Sequence, residues 1–538
     1  MKRINLAPIL CWVGAGVFLS ALLVDRGMSV CVFPSAPSVD RTSTIAFAKT
    51  FGGSSWDWAY SVQQTSDGGY IVAGWTGSFG AGSSDIFLLK IDASGNLQWA
   101  KTFGGSNGDV AHSVQQTSDG GYIVAGYTDS FGAGGDVFLL KTDASGNLQW
   151  AKTFGGMGDD YAWSVQQTSD GGYIMAGVTS SFGAGWDNVF LLKTDALGNL
   201  QWAKTFGGSD FDFAYSVQQT SDGGYIVAGR TYSFGAGGDV FLLKTDASGN
   251  LQWAKTFGGD TTDYARSVQQ TSDGGYIVAG YTRSFGAGYR DVFLLKTDAS
   301  GNLQWYRTFG GSYGDAASSV QQTSDGGYIV AGGTDSFGAD GEVFLLKTDA
   351  SGNLQWARTF RGSYVGYAYS VQQTSDGGYI VAGWAFFVGA ESTDVFLLKT
   401  DTNGNIGTCA IGSPTPTVTT PTPTETNPTL TVTSPTPTVT TPSPTVTSPT
   451  LSVSEPCPLS ISEEQRFDGC FADVLRVGKG HITVSSIGEF RVKVYDVSGN
   501  VVKDVEGRGE LRISLKKGVY FVEVSSREIK RVERVVVR

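Results

Sequence analysis

The chain has 538 residues, 75 of them glycine, and a formal net charge of −12. That acidity argues against a nucleic-acid partner, which selects basic faces. The two histidines, His112 and His481, exclude a histidine-built metal cluster. The 15 prolines fall at the two ends: three in the first 37 residues, twelve from Pro414 to Pro458.

Lys2 and Arg3 precede an apolar run from Leu6 to Val24 that ends at Asp25-Arg26. A basic start and an apolar core predict an export signal over residues 1–30. The run of about 19 residues is close to bilayer-spanning length, so a retained signal anchor is the alternative, and the only membrane contact expected. Met28-Ser29-Val30 puts no small residue before Cys31, against lipidation.

The segment SVQQTSDGGYIVAG begins at Ser61 and returns at Ser113, Ser164 (with Met175), Ser216, Ser267, Ser319 and Ser370. A period of roughly 50 residues marks a propeller, solenoid or array. One unit reads AHSVQQT (strand a), the turn SDGG, GYIVAGYT (strand b), a Gly-rich loop, DVFLLKTD (strand c), the turn ASGN and LQWAKTF (strand d). These are short runs rich in β-branched and aromatic residues, separated by turn signals. Asp-Gly supplies the positive φ that a tight hairpin needs. Four antiparallel strands per unit, with strands c and d apolar on both faces, describe a propeller blade. The seventh unit lacks LQWAKTF, while Ile45 to Phe51 (IAFAKTF) matches its end. Residues 41–409 are therefore predicted to form an all-β, seven-bladed propeller closed by the N-terminal strand. The absence of proline there suits strands that need every N–H.

Residues 410–458 are Thr/Ser/Pro-rich and almost uncharged. Such a segment buries no core and favours extended polyproline II, so a stalk of the mucin type is expected. Residues 459–538 alternate polar and apolar residues (HITVSS, FRVKVYDVSGNVVKDVE, KGVYFVEVSS) and predict a small C-terminal β-sandwich.

The units resemble secreted seven-bladed propeller repeats reading D-G-G-Y-x-x-x-G, F-x-x-K-x-D-x-x-G-N and W. Here these are Asp119-Gly120-Gly121-Tyr122, Gly126, Phe138, Lys141, Asp143, Gly146, Asn147 and Trp150. The last domain, through Val494-Tyr495-Asp496-Val497-Ser498-Gly499 and Gly518-Val519-Tyr520-Phe521-Val522, resembles β-sandwich sorting domains, including those of type IX secretion. The resemblances imply an exported or surface protein and an attachment role, with no assigned activity.

Comparing units separates two faces. The a–b turn TSDGG is invariant, whereas the d–a and b–c loops vary and lie on the opposite face. Loops on a rigid scaffold carry binding residues, and aromatics and Arg dominate binding hot spots. Trp56, Trp58, Trp163, Trp186, Tyr215, Arg230, Tyr232, Arg283, Tyr289 and Arg290 are therefore the candidate ligand-binding residues. Loop drift is the bland alternative, but drift favours small polar residues. One acidic ring precedes strand a (Asp57, Asp109, Asp160, Asp212, Asp263, Asp315) and a second precedes strand c (Asp85, Asp136, Asp239, Asp291, Glu342, Asp394, with Asn188 as exception). Carboxylates of this kind can hold calcium, but bonding of each Asp to its own loop backbone explains one per blade better. No catalytic residue, cofactor or metal site is assigned. The expected disulfides are Cys31–Cys409 across the closure seam and Cys457–Cys470 in the last domain.

These observations predict an extracellular or cell-surface propeller that binds glycan or protein through its variable face, by adhesion rather than catalysis. One alternative is a polysaccharide hydrolase or lyase, although a glycosidase needs two carboxylates in one asymmetric pocket. The other is a purely structural surface-layer component.

Overall fold

A computed structural model describes residues 46–338, 341–360, 365–386, 392–406, most of 411–454 and most of 474–537. The apolar segment predicted as a signal, and Cys31, Cys409, Cys457 and Cys470 with their predicted pairings, lie outside the described residues.

Seven four-stranded antiparallel sheets form the propeller. In blade 2 the strands are a (Asp109–Gln116), b (Tyr122–Thr128), c (Asp136–Thr142) and d (Leu148–Gly155). Strand c is buried along its whole length and strand b nearly so. Their apolar side chains pack against both neighbouring blades: Ile71 and Leu88 of blade 1 join Val124, Phe138 and Leu140 of blade 2 in one cluster. The hairpin prediction holds at the backbone: Gly68 in the first TSDGG turn has φ +82°, and the equivalent glycine is positive in every blade.

The ring closes as the sequence predicts. Phe47–Gly52 pairs antiparallel with Asp394–Thr400, from Phe47 opposite Lys399 to Phe51 opposite Val395, and supplies strand d of blade 7.

Strand a is innermost, and side chains from the next blade satisfy its free edge. Gln63 Oε1 accepts from Gln116 N–H at 2.6 Å, and Ser61 Oγ accepts from Val114 N–H at 3.2 Å. The same Gln contact recurs around the ring to Gln372 Oε1 and Gln64 N–H. The Ser-Val-Gln-Gln run thus pairs backbone groups that would otherwise be orphaned.

The outer edge of strand d needs an equivalent, and the Thr/Pro segment provides it. Ring closure removes no edge there, because each strand d still presents an unpaired row of N–H and C=O groups. Seven short strands of the segment pair antiparallel with these edges, one per blade. Ile411–Gly412 lies on blade 6, Thr417–Thr419 on blade 5, Thr424–Thr426 on blade 4, Thr431–Thr433 on blade 3, Thr438–Thr440 on blade 2, Thr445–Thr447 on blade 1 and Ser452–Ser454 on blade 7. The segment passes from blade to blade against the order in which they were made. The expectation of a stalk over residues 410–458 is corrected for these strands. The reason lies in a seven-residue period, SPTPTVT-TPTPTET-NPTLTVT-SPTPTVT-TPSPTVT-SPTLSVS from Ser413 to Ser454, whose six copies serve six blades, while Ile411–Gly412 before it serves blade 6. Proline, with no N–H, keeps the pairing to short three-residue strands such as Thr417–Thr419. Cross-strand threonines add a contact at the same register: Thr447, Thr426 and Thr419 each sit 2.6 Å, Oγ1 to Oγ1, from Thr102, Thr256 and Thr308. Pro416 and Pro423 are buried, and Leu430 packs onto a blade core.

The C-terminal domain is a five-stranded antiparallel sheet: Val474–Gly478, His481–Tyr495, Val501–Ser514, Gly518–Ser525 and Lys530–Val537. Val492 and Val494 are buried in its long second strand, and Arg491 forms a bidentate pair with Asp504 at 2.6 Å.

Candidate functional site

The invariant residues have structural work on the a–b turn face. In all seven blades the lysine of FLLK is buried and reaches the aspartate of TSDGG at 2.9–3.0 Å, as in Lys141–Asp119. Lys141 also donates to the carbonyl of Thr142. Burial pushes the Asp119 carboxyl up, but the Thr117 hydroxyl, the Lys141 ammonium and the Gly121 N–H overcome it and hold the group at about 2. Trp99 of blade 1 packs against Gly146 in the c–d turn of blade 2, where a Cβ would come within 2.8 Å of the indole. Asp143 accepts from the backbone and side chain of Asn147. The repeat signature is thus a set of blade-to-blade and turn contacts.

The acids of the two rings are buried, Asp394 half-buried, and at five interfaces they meet in pairs between blades, as Asp85 with Asp109. Asp109 accepts from Gly105 N–H at 2.8 Å and Ser130 Oγ at 2.7 Å, and Asp85 accepts from the N–H groups of Ala81 and Gly82. A Cβ on Gly104 would collide with Asp85 and lie 2.7 Å from Asp109, which explains the glycine ending strand d here and at Gly155, Gly207, Gly258 and Gly310. Burial, then the neighbouring carboxyl, pushes these acids up: Asp136 and Asp394 to about 6, Asp239 to about 7. For Asp136 the loop N–H of Ala133 opposes the rise. Among the described residues no three His, Cys, Asp or Glu side chains converge as a metal-binding group.

The variable residues gather at the opposite end of the central channel. Below lies a channel of about 240 Å³ lined by the seven Val-Gln pairs, Val62-Gln63 to Val371-Gln372. Above it, each strand a carries a β-bulge between its Ala and its Ser. A bulge re-aims a side chain, and here the extra residue is Tyr60, His112, Trp163, Tyr215, Arg266, Ser318 or Tyr369. Neighbours around the axis touch: Tyr60 and His112 at 4.9 Å between ring centroids, His112 and Trp163 at 4.0 Å, and Trp163 and Tyr215 at 5.6 Å. The Arg266 guanidinium lies 4.6 Å over Tyr215, and Tyr369 returns to Tyr60 at 4.7 Å. This iris is flanked by a second tier from strands a and b, including Trp58 against Trp75 (5.4 Å) and Trp384 (5.3 Å), and Tyr264 stacked on Tyr281 (4.6 Å). Burial, with the Arg266 charge adding to it, pushes His112 down to about 3, so the imidazole is neutral at physiological pH. His112 Nε2 and Trp163 Nε1 are buried without a hydrogen-bond partner among the described residues.

Of the candidates predicted from sequence, Trp58, Trp163, Tyr215 and Arg230 belong to this mouth. Trp56, Trp186 and Tyr289 stand out on the surrounding loops, 59%, 71% and 65% exposed. Tyr232 hydrogen-bonds Arg230, Arg283 lies over Tyr289, and Arg290 reaches Asp335 at 3.9 Å. Tyr60, His112, Arg266 and Tyr369 were missed. The available signal was one variable position, Y-H-W-Y-R-S-Y, inside the otherwise constant Ala-x-Ser-Val-Gln-Gln.

Comparisons with known proteins agree with this architecture. Residues 65–97 match the family described as Domain of unknown function (DUF5122) beta-propeller, and residues 478–538 match Secretion system C-terminal sorting domain. Such a sorting domain directs secretion or surface attachment. The chain is a secreted or surface-attached β-propeller protein. Residues 389–463 match Herpesvirus Envelope glycoprotein GP350 C-terminal, over the Thr/Pro segment. A curated relative, Regulatory protein FlaEY of Caulobacter vibrioides, is 26% identical over 386 residues, covering 65% of this chain. The chain spans only 38% of that relative's length. A solved Biofilm associated protein - BSP domain aligns with 94% of this chain and 99% of its own at 10% identity, but its TM-score of 0.13 supports no argument.

Proposed function

We propose that this propeller is a non-catalytic binding module of the cell surface that takes a glycan at the aromatic mouth of its channel. The observation that carries the reading is the iris. Seven near-identical blades differ at the bulged residue, and five of the seven residues there are aromatic or imidazole rings in a continuous arc from Tyr369 through Tyr60, His112 and Trp163 to Tyr215. Such rings offer flat apolar faces, and the buried donors beside them fix orientation. The acids are spent elsewhere, buried in blade interfaces and bonded to loop backbone, which favours binding over hydrolysis. A glycan array probed with the full chain tests the reading. Retention of at least one glycan class, lost in Trp163→Ala at unchanged melting temperature, is expected. Binding that survives Trp163→Ala and Trp58→Ala, or that maps to the TSDGG turns, overturns it.

A further inference from the structure

We infer that blades 4 and 5 build an anion subsite into this mouth, and that the ligand is an acidic oligosaccharide carrying carboxylate or sulfate groups. This rests on the binding reading above and adds the ligand's charge. Among the described residues, the arginines of the variable-face loops and bulges, Arg230, Arg266, Arg283 and Arg290, all fall in these two blades. Arg230 is sandwiched, its guanidinium 4.4 Å from the Phe213 centroid and 4.1 Å from that of Tyr264. One of its terminal nitrogens donates to Tyr232 Oη at 3.2 Å, and its Nε is buried without a partner. Arg266 shares the same aromatic wall, over Tyr215 at 4.6 Å and 5.7 Å from Tyr264. Arg283 and Arg290 continue the alternation outward over Tyr289 and Tyr281.

Two features set these cations apart. Each lysine of the opposite face is tied to its own aspartate, whereas Arg230, Arg266 and Arg283 have no ion pair among the described residues. The carboxyl that feels Arg230 is Asp187, where burial and Asp159 raise the group and Arg230 pulls it back. Stacking also occupies the faces of a guanidinium and leaves its in-plane N–H groups for a planar anion. In a chain of net charge −12, Arg230, Arg266 and Arg283, held in place by aromatic rings and not by ion pairs, fit an anion brought by the ligand. The sugar rings would stack on the Trp163–His112–Tyr60 side of the iris.

The test uses calorimetric titration of the full chain with an oligogalacturonate, a sulfated galactan oligosaccharide and neutral maltoheptaose. The variants are copied from sister blades, so the fold already accommodates them. Arg266→Ser reproduces Ser318, and Arg230→Tyr reproduces Tyr127. Arg307→Lys, copying Lys255 in strand d, is the control. The expected result is tighter binding of at least one acidic ligand than of maltoheptaose, weakened by salt, with about tenfold or greater loss in Arg266→Ser and Arg230→Tyr and none in Arg307→Lys. Whether the carboxylated or the sulfated ligand responds identifies the anionic group. Neutral binding through Trp163 with no acidic preference overturns the inference and leaves the binding reading standing. Acidic binding indifferent to both arginine variants also overturns it, and binding of none of the three overturns it together with its support for a glycan at the mouth.

Discussion

Replacing Asp239 by Asn should change how stability depends on pH. Asp239 opens strand c of blade 4 and meets Asp263 at the start of strand a of blade 5, the two converging on Gly258. Asp239 is 3% exposed; burial, then the charge of Asp263, raises it from 3.8 to about 7, against the loop N–H of Ala236. Between pH 4 and 7 the folded state then binds more protons at this site than the unfolded chain. Stability is fully present below about pH 4 and is lost as pH rises through 7. A shift of about three units corresponds to a loss on the order of 4 kcal/mol at pH 8. Asn removes the charge and keeps the shape, and the chain already places Asn188 opposite Asp212 at the equivalent interface. Urea unfolding followed by tryptophan fluorescence at pH 4.5 and 8.0 measures it. Asp239→Asn should gain stability relative to wild type by a few kcal/mol more at pH 8.0 than at pH 4.5. Parallel profiles for the two proteins, or wild-type stability rising over that interval, would refute the argument.

On the acid side the sign reverses. The TSDGG aspartates, held at about 2 in six blades, contribute stability above their unfolded value of 3.8 that is lost as pH falls towards 2, so a stability maximum near pH 4–5 is expected in a thermal-shift series. Deleting residues 46–52 removes strand d of blade 7, and calorimetry should show a lowered melting temperature with aggregation; an unchanged transition would contradict closure by this strand. Truncation after residue 410 exposes seven outer edges. It should cause association in size-exclusion chromatography, whereas the full chain resists proteolysis between Thr417 and Ser454; rapid cleavage there in the intact protein would contradict the edge pairing.

The propeller was readable from sequence because its signals repeat. Asp-Gly turns and FLLK recur seven times and the LQW strand six, and the one missing strand d had a single donor, IAFAKTF. The composition of the Thr/Pro segment points to a stalk, whereas its period points to the blades. Proline and threonine favour an extended chain in either state. What decides between a stalk and a paired edge is the match of one Thr-x-Thr per seven residues to one outer strand per blade, which needs the blade geometry. The site was half readable for a related reason. Loop position pointed to the variable face, but the iris is set by a bulge within strand a, and only the register showed that Tyr60, His112 and Arg266 are its extra residues. Trp56 and Trp186 lie on the variable loops and stand exposed, whereas the ring at the axis is made of half-buried side chains.

Hydrogen–deuterium exchange of the full chain, with and without a glycan retained on the array, tests the binding claim most directly. Protection confined to the first halves of strands a, around Tyr60, His112, Trp163, Tyr215 and Arg266, with the TSDGG turns unchanged, is the predicted result. Protection of the turns with the iris unchanged would contradict it.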